Sequence, residues 1–109
     1  MIKNKLIVVT GGAGFIGSHI AEELSDKNEV IVIDNLYAGK IENVPPNVKF
    51  LQADIRDYQS IAELISHADY VFHEAALVSV VESVEKPILT EEINVLGTLN
   101  ILKALSEGH

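Results

Sequence analysis

Three regularly spaced glycines near the amino terminus form the pattern with the clearest chemical meaning. Gly11, Gly14 and Gly17 belong to the run Thr-Gly-Gly-Ala-Gly-Phe-Ile-Gly, which follows an apolar segment at 6–9 and precedes an amphipathic segment. A strand, a glycine turn and a helix in this order bring backbone N–H groups and the positive end of a helix dipole to one point. This arrangement binds anions, and in dinucleotide sites it holds the pyrophosphate.

An acidic residue lies where such a site needs a ribose ligand. Asp34 ends the second apolar run, residues 30–33, and the spacing of about twenty residues from the glycines is typical of a dinucleotide site. A carboxylate there accepts hydrogen bonds from ribose hydroxyls and repels a 2′-phosphate, which favours NAD over NADP. The alternative is a turn that merely needs glycine, with Asp34 as an ordinary strand-end residue. We expect the nearby Lys40 to be a surface lysine.

The hydrophobic periodicity predicts a single α/β domain over residues 1–109. Continuous apolar runs are typical of strands buried in a parallel sheet, and right-handed crossovers connect such strands. We predict a Rossmann-like, doubly wound parallel sheet, truncated to about four strands in the order 3-2-1-4, with flanking helices. The predicted strands are 5–10, 29–34, 48–53 and 70–73, and the predicted helices are 15–27, 58–66 and 87–107, with Gly108 ending the last.

Further candidates follow the third and fourth strands. Asp54 would either bind the adenine amino group or cap the next helix, a role that Asp57 would fill equally well. His73 and Glu74 are adjacent on a strand, so their side chains point to opposite faces, which argues against an acid–base pair or a metal site. The small residues Ala75 and Ala76 fit a path along which a cofactor passes.

The last predicted helix contains two residues with poor helix propensity. Asn94 and Gly97 lie in its interior, where glycine costs about 1 kcal/mol relative to alanine. We therefore expect a backbone or a ligand to approach Gly97, and Asn94 to bond the main chain beyond the fourth strand. The alternative is that both are merely tolerated. The helix is apolar most of the way round, so one face should cover the sheet and another should meet a partner.

Composition excludes several classes of function. The chain has 109 residues, no cysteine and a formal net charge of −8. These values argue against disulfides, cysteine-based zinc sites and non-specific binding to nucleic acid. No apolar run reaches the ~20 residues of a membrane span, and we expect a cytoplasmic protein. A mononucleotide P-loop is disfavoured because no Lys-Ser/Thr pair follows the last glycine.

Taken together, these motifs resemble the amino-terminal half of the extended short-chain dehydrogenase/reductase family. Five segments carry the resemblance: residues 10–17, 34–36, 54–57, 73–76 and 94–98. They look most like NAD-dependent nucleotide-sugar epimerases of the UDP-glucose 4-epimerase type, with the sugar dehydratases next. The resemblance implies pyrophosphate contacts from Phe15 and Ile16 and a support for the nicotinamide from Asn94. It further implies that Asp34, Asn35, Leu36, Tyr37, Ala38 and Gly39 wrap the adenosine, that Asp54 and Ile55 hold adenine, and that Ala75, Ala76 and Leu77 line the path to the nicotinamide.

The catalytic pair of that family is missing from this chain. The resemblance implies a Tyr-x-x-x-Lys pair, but the residues four positions after Tyr37, Tyr58 and Tyr70 are isoleucine, alanine and glutamate. One hypothesis is the NAD-binding portion of a nucleotide-sugar epimerase, inactive by itself and needing a further part to bind the sugar. The alternative is a stand-alone, non-catalytic dinucleotide-binding module that dimerises through its last helix or its sheet edge.

Overall fold

The fold is a four-stranded parallel sheet with helices on both faces, seen in a computed structural model that describes residues 2–75 and 86–108. The strand order is β3-β2-β1-β4, and every pairing is parallel. This confirms the predicted architecture and strand order. The strands are β1 (Leu6–Thr10), β2 (Glu29–Asp34), β3 (Lys49–Gln52) and β4 (Tyr70–His73).

Four helices flank the sheet within the described residues. They are α1 (Phe15–Ser25), α2 (Tyr58–His67), α3 (Pro87–Glu91) and α4 (Gly97–Gly108), and a single 3₁₀ turn spans Ile41–Asn43. The predicted long helix is thus interrupted, because a π-helical turn at Glu92–Leu96 joins α3 to α4. There the Thr98 hydroxyl donates to the Asn94 carbonyl over 2.8 Å, which is the acceptor that a regular α-helix would offer to the Thr98 N–H.

The two faces of the sheet bury separate apolar clusters. Ile7 and Val9 of β1 pack with Ala21 of α1 on one face. Val8 points the other way and joins a cluster with Ile61 of α2 and Ile101 of α4. Since consecutive strand residues alternate between faces, β1 is buried on both sides. The rigid centre of the sheet therefore carries the glycine turn at its end.

Small residues shape the contacts of the first and last helices. Ile16 is 62% exposed, because α1 approaches the sheet through its small residues Gly17, Ser18 and Ala21. Gly108 is the last residue of α4, as predicted. A Cβ there would collide with the carbonyl of Ser66 in α2, so close packing of the two helices explains this glycine. In the described part of the chain, no helix has the length and hydropathy needed to cross a bilayer.

Candidate functional site

The glycine turn leaves β1 through a backbone conformation that only glycine adopts easily. Gly11 has φ +70°, and its N–H donates to the Ile33 carbonyl of β2 over 2.8 Å. A Cβ on Gly11 would lie 2.7 Å from the backbone nitrogen of Ala75. The turn is therefore hydrogen-bonded to β2 and packed against the backbone that follows β4, and the packing against Glu74 and Ala75 leaves no room for a side chain.

The amino terminus of α1 opens from this turn without a capping side chain. Gly14 occupies the N-cap position, no side chain caps it, and the first turn contains no acidic residue. A Cβ on Gly14 would meet only the Gly11 carbonyl, at 3.3 Å, so backbone borders open space there. Gly17 is buried against Gly11 instead. The amino-terminal end of α1 thus has no side-chain cap and no acidic residue in its first turn, as expected of a helix end that can accept an anion.

Asp34 lies across the turn with its carboxylate held by the main chain. It is 9% exposed, and its two oxygens accept hydrogen bonds from the Ala13 N–H at 3.0 Å and the Leu36 N–H at 2.7 Å. Leu36 adopts φ +63° to make its bond, a conformation that costs a non-glycine residue roughly 1–2 kcal/mol. Each carboxylate oxygen keeps acceptor capacity. Within the described ranges, Asp34 forms no ion pair, so its negative charge remains at the cleft.

The loop after β2 folds back over the glycine turn. Tyr37 N–H donates to the Asn35 side chain at 2.9 Å, and Lys40 N–H donates to the Ala13 carbonyl at 3.0 Å. Asn35 also donates to Asp54 over 3.2 Å. These bonds fix the predicted adenosine-side residues relative to both β1 and β3. Lys40 itself is exposed, as expected.

Asp54 makes a bidentate ion pair rather than a helix cap. Arg56 Nη2 lies 2.6 Å from one Asp54 oxygen, and Arg56 Nε and N–H lie 3.0 and 2.9 Å from the other. The hydrogen-bonded Arg56 side chain lowers the pKa of Asp54 to about 2, against the opposing effect of burial. The N-cap of α2 is Asp57, so the capping alternative for Asp54 was wrong. A second, longer contact of 3.6 Å joins Arg56 to Glu92.

One cleft of about 270 Å³ brings most of the predicted residues together at the carboxyl end of the sheet. Those that line it are Gly11, Gly14, Phe15, Asp34, Asn35, Tyr37, Ala38, Gly39, Asp54, Ile55 and Ala75. Ile16, Gly17, Leu36 and Asn94 are not among the lining residues. Ala76 and Leu77 lie outside the described residues. The assignment as cofactor contacts stays a prediction for every one of these positions.

Several residues of the cleft were not predicted from the sequence. Ile33, Ala53, Glu74 and Ile93 also line it. Ile93 belongs to the π-helical turn and is 8% exposed, so this turn forms a wall of the cleft. Asn100 of α4 was also missed, although it does not line the cleft. It is a polar residue among the apolar residues of its helix, and this is the sequence signal that could have identified it. Its buried amide donates to the carbonyls of Ile55 and Arg56 over 2.9 and 3.0 Å.

The close approach expected at Gly97 exists, but a side chain makes it. A Cβ there would lie 2.6 Å from Cγ1 of Ile55, so α4 packs directly on the residue that follows Asp54. Asn94 is half-buried in the π-helical turn. Its expected bond to the main chain beyond β4 falls on residues outside the described ranges.

His73 and Glu74 do not act as a pair in this structure. His73 is half-buried and contacts the hydroxyls of Thr10 and Thr98, whereas Glu74 is exposed at the cleft. Burial lowers the pKa of His73, and Glu74 partly offsets this. Across residues 2–75 and 86–108, no group of three potential ligands is arranged to hold a metal ion.

The comparisons with known proteins agree with this geometry. The family model described as NAD dependent epimerase/dehydratase family matches residues 7–109. The chain belongs to this family. The family name identifies NAD as the cofactor. A solved UDP-glucose 4-epimerase of Thermus thermophilus in complex with NAD superposes on this chain with a TM-score of 0.87 at 47% identity. The match covers 94% of this chain and 34% of that one.

Other relatives are named for different reactions on UDP-sugars. A UDP-N-acetyl-alpha-D-glucosaminuronate decarboxylase of Bacillus cytotoxicus is 44% identical over 95% of this chain and 34% of its own length. A UDP-N-acetylglucosamine 4-epimerase of Methanobrevibacter ruminantium M1, solved with UDP-N-acetylmuramic acid, has a TM-score of 0.90 at 40% identity, over 98% of this chain and 36% of that one. The chain thus spans about a third of the length of the relatives it matches.

Proposed function

We propose that this chain is the NAD-binding portion of a nucleotide-sugar epimerase of the UDP-glucose 4-epimerase type. The observation that carries the proposal is the convergence of the glycine turn, the uncapped start of α1 and the Asp34 carboxylate on one cleft. A dinucleotide requires an anion cradle and a ribose acceptor at this relative position. Family membership adds that NAD is the cofactor of the family. The cytoplasmic location expected from the sequence belongs to the same proposal.

The residues present fit NAD from its pyrophosphate to its adenine. The pyrophosphate lies at Gly14, whose missing Cβ leaves space, against the N–H groups of Phe15 and Ile16 at the start of α1. The adenosine ribose reaches the remaining acceptor capacity of Asp34. Adenine lies beside Asp54 and Ile55. Gly11 and Gly17 shape the turn, and the other proposed contacts of the adenosine are Asn35, Leu36, Tyr37, Ala38 and Gly39.

The nicotinamide end points toward β4 in this proposal. Ala75 lines the cleft there, and we assign Ala76, Leu77 and Asn94 to the same end on the resemblance alone. When bound, NAD accepts a hydride from the sugar and returns it. The tyrosine and lysine that would move the proton are absent from this sequence, so nucleotide-sugar conversion needs a part of the enzyme that this chain lacks.

A stand-alone dimeric module is the second candidate function, and one observation favours it. Four large apolar side chains are about half exposed on the π-helical turn and on the carboxyl-terminal helix, α4. They are Val95 (49%), Leu96 (42%), Leu99 (55%) and Leu102 (56%). Contiguous exposed apolar surface of this kind marks a protein interface. A second copy covering this face would give a homodimer that binds NAD without catalysis.

A thermal-unfolding titration with NAD, NADP, ADP and ATP tests the proposed cofactor site. Ligands that bind only the folded state raise its stability by mass action, and each kcal/mol raises the melting temperature of a domain of this size by roughly 4–8 °C. We expect shifts with NAD and ADP and a much smaller shift with NADP, because the 2′-phosphate would meet the Asp34 carboxylate. Equal shifts with NAD and NADP would remove Asp34 from the ribose site.

Asp34→Ser is the matching variant, with Asp26→Ser as its control. Asp26 is an exposed aspartate at the end of α1, so its replacement removes the same charge away from the cleft. We expect Asp34→Ser to reduce the NAD shift and to narrow the difference between NAD and NADP. Asp26→Ser should leave both shifts as in the parent chain.

A further inference from the structure

His73 at the end of β4 connects β1 to α4 through two threonine hydroxyls. Its Nδ1 lies 2.6 Å from Oγ1 of Thr10 at the end of β1, and its Nε2 lies 2.8 Å from Oγ1 of Thr98 in α4. Thr10 is fully buried and directly precedes Gly11. The imidazole therefore bridges the start of the glycine turn and the helix that follows the π-helical turn.

The hydrogen bonds around Thr10 determine which way its hydroxyl points. Its Oγ1 accepts the N–H groups of Glu74 at 3.1 Å and Ala75 at 3.2 Å, and the Glu74 N–H is shared with the Thr10 carbonyl at 3.0 Å. A hydroxyl has two acceptor lone pairs and one donor hydrogen. With both lone pairs occupied, Thr10 must donate its hydrogen to His73 Nδ1, which is therefore unprotonated.

The hydrogen bonds around Thr98 determine the other ring nitrogen. Thr98 donates its hydroxyl hydrogen to the Asn94 carbonyl over 2.8 Å, so toward His73 it can only accept. The His73 Nε2 must then carry a hydrogen. Both ends of the network thus select the same neutral tautomer, with hydrogen on Nε2 and a lone pair on Nδ1.

We propose that neutral His73 is a positioning residue for the proposed NAD site, joining the end of β4 to α4 and the π-helical turn, and that its protonation opens this connection. A second hydrogen on Nδ1 would face Thr10 Oγ1, which has no lone pair left for it. Thr10 would have to release Glu74 or Ala75, two residues that line the cleft. The inference rests on the proposed function, since NAD is the ligand whose binding would report it.

The surroundings of the ring are consistent with a neutral imidazole. β1 and α4 present the Thr10 and Thr98 hydroxyls to it. Among the described residues, the charged group acting on the ring is Glu74, the next residue along the chain, which favours the protonated form, but burial outweighs it and lowers the pKa of His73. Because the pKa is lowered relative to the unfolded chain, the network contributes stability above the unfolded value of about 6.5. The contribution is lost as the pH falls from there through the folded pKa.

The first test measures NAD affinity of the chain by calorimetry from about pH 8 to about pH 5. Binding that requires the neutral ring weakens by up to about tenfold per pH unit below the pKa of His73. In His73→Asn, which keeps an acceptor near Thr10 but cannot be protonated, this pH dependence should vanish. His67→Asn is the control, because His67 is exposed at the end of α2 and should preserve the parent profile. A pH dependence that survives in His73→Asn overturns the proposal, and so does a flat parent profile over a pH range in which NMR shows that His73 becomes protonated.

A second pair of variants addresses Thr98 without changing the histidine. Thr98→Ser keeps the hydroxyl and should keep both the NAD affinity and its pH profile. Thr98→Val removes the acceptor for Nε2 and the donor to Asn94, and it should weaken NAD binding at neutral pH. Equal binding by the two variants would contradict the bridge, even if the His73 variant failed to fold.

Nitrogen NMR of the ligand-free chain separates this inference from the proposed function. Long-range correlations distinguish a protonated from an unprotonated ring nitrogen, and we expect hydrogen on Nε2 of His73 alone near pH 8. Hydrogen on Nδ1 overturns the network whether or not NAD binds. A chain that shows the expected tautomer but binds no NAD instead overturns the proposed function and, with it, the positioning role.

Discussion

At the scale of single residues, the glycines of the turn serve different purposes although the sequence spaces them evenly. Gly11 has a positive φ, and a Cβ there would collide with the backbone of Glu74 and Ala75. Gly14 instead has extended φ and ψ of −83° and 176° and lines the cleft. The lack of a side chain at Gly11 is therefore required by the fold, whereas Gly14 borders the cleft, where we propose that the pyrophosphate binds. This difference gives a pair of substitutions with different outcomes.

Gly11→Ala should destabilise the chain by more than about 2 kcal/mol, since it combines a left-handed backbone with a collision against Ala75. Gly14→Ala should cost only about 1 kcal/mol, because alanine adopts the backbone conformation of Gly14, although alanine is a poorer N-cap than glycine and its Cβ would lie 3.3 Å from the Gly11 carbonyl. Denaturant unfolding measures both. Equal destabilisation by the two changes would be the contrary result.

The Gly14→Ala substitution also tests the proposed NAD site. Gly14→Ala places a methyl group where the proposed pyrophosphate approaches, so the folded variant should bind NAD at least about tenfold more weakly, a difference of about 1.4 kcal/mol. Calorimetry at neutral pH gives the comparison with the parent chain. Unchanged affinity in this variant would move the pyrophosphate away from Gly14.

At the scale of elements, the segment between β3 and α2 is held by charge and by a buried amide. Arg56 forms ion pairs with Asp54 in this segment and with Glu92 in the π-helical turn. The Asn100 amide of α4 donates to two carbonyls of the same segment. The segment that presents Asp54 and Ile55 to the cleft is therefore fixed to the carboxyl-terminal helix. Its stability should depend on the ionisation of Asp54.

Arg56→Met should cost about 1 kcal/mol at neutral pH, at the upper end for a partly exposed pair. The pKa of Asp54 is lowered from 3.8 to about 2, so the pair contributes stability above about pH 4 and loses it as the pH falls toward about 2. The difference between parent and variant should vanish over that range. Lys49→Met is the control, since the Lys49–Glu29 pair is 70% and 53% exposed, and it should change stability very little at any pH.

The sequence predicted the elements better than their contacts, for a physical reason. The apolar runs and glycines determine local structure, so the bounds of β2 and β4 and the strand order were predicted correctly. The π-helical turn was not predicted, because its Gly97 N–H bonds the Glu92 carbonyl five residues back, and the apolar pattern does not distinguish such a turn from a regular helix. The contacts of Ile93, Arg56 and His73 depend on neighbours that no local pattern specifies.

At the scale of the whole molecule, exposed apolar side chains lie both beside the cleft and on the carboxyl-terminal helix, α4. The cleft lies at the carboxyl ends of the strands, and Phe15 and Ile16 beside it are 78% and 62% exposed. The second apolar area, on the carboxyl-terminal helix, contains Leu99 and Leu102. Exposed apolar surface of this kind is typical of protein interfaces, and the chain spans about a third of the length of its relatives.

An activity assay tests whether this chain alone can catalyse the reaction for which its epimerase relatives are named. With no Tyr-x-x-x-Lys pair in the sequence, we expect no interconversion of UDP-glucose and UDP-galactose, even with saturating NAD. A coupled assay with a full-length epimerase as the positive control measures this. Turnover by the purified chain would show that other residues move the proton.

Sedimentation velocity over a range of concentrations tests the alternative of a dimeric module. If a second copy covers the apolar helix face, the parent chain should sediment as a dimer, and Leu99→Lys with Leu102→Lys should convert it to a monomer, because two charges cannot be buried without partners. Gln59→Lys on the exposed side of α2 adds charge elsewhere and should leave the dimer intact. A monomeric parent chain that still binds NAD would instead favour the portion of a larger enzyme, since the apolar face would then await a different segment.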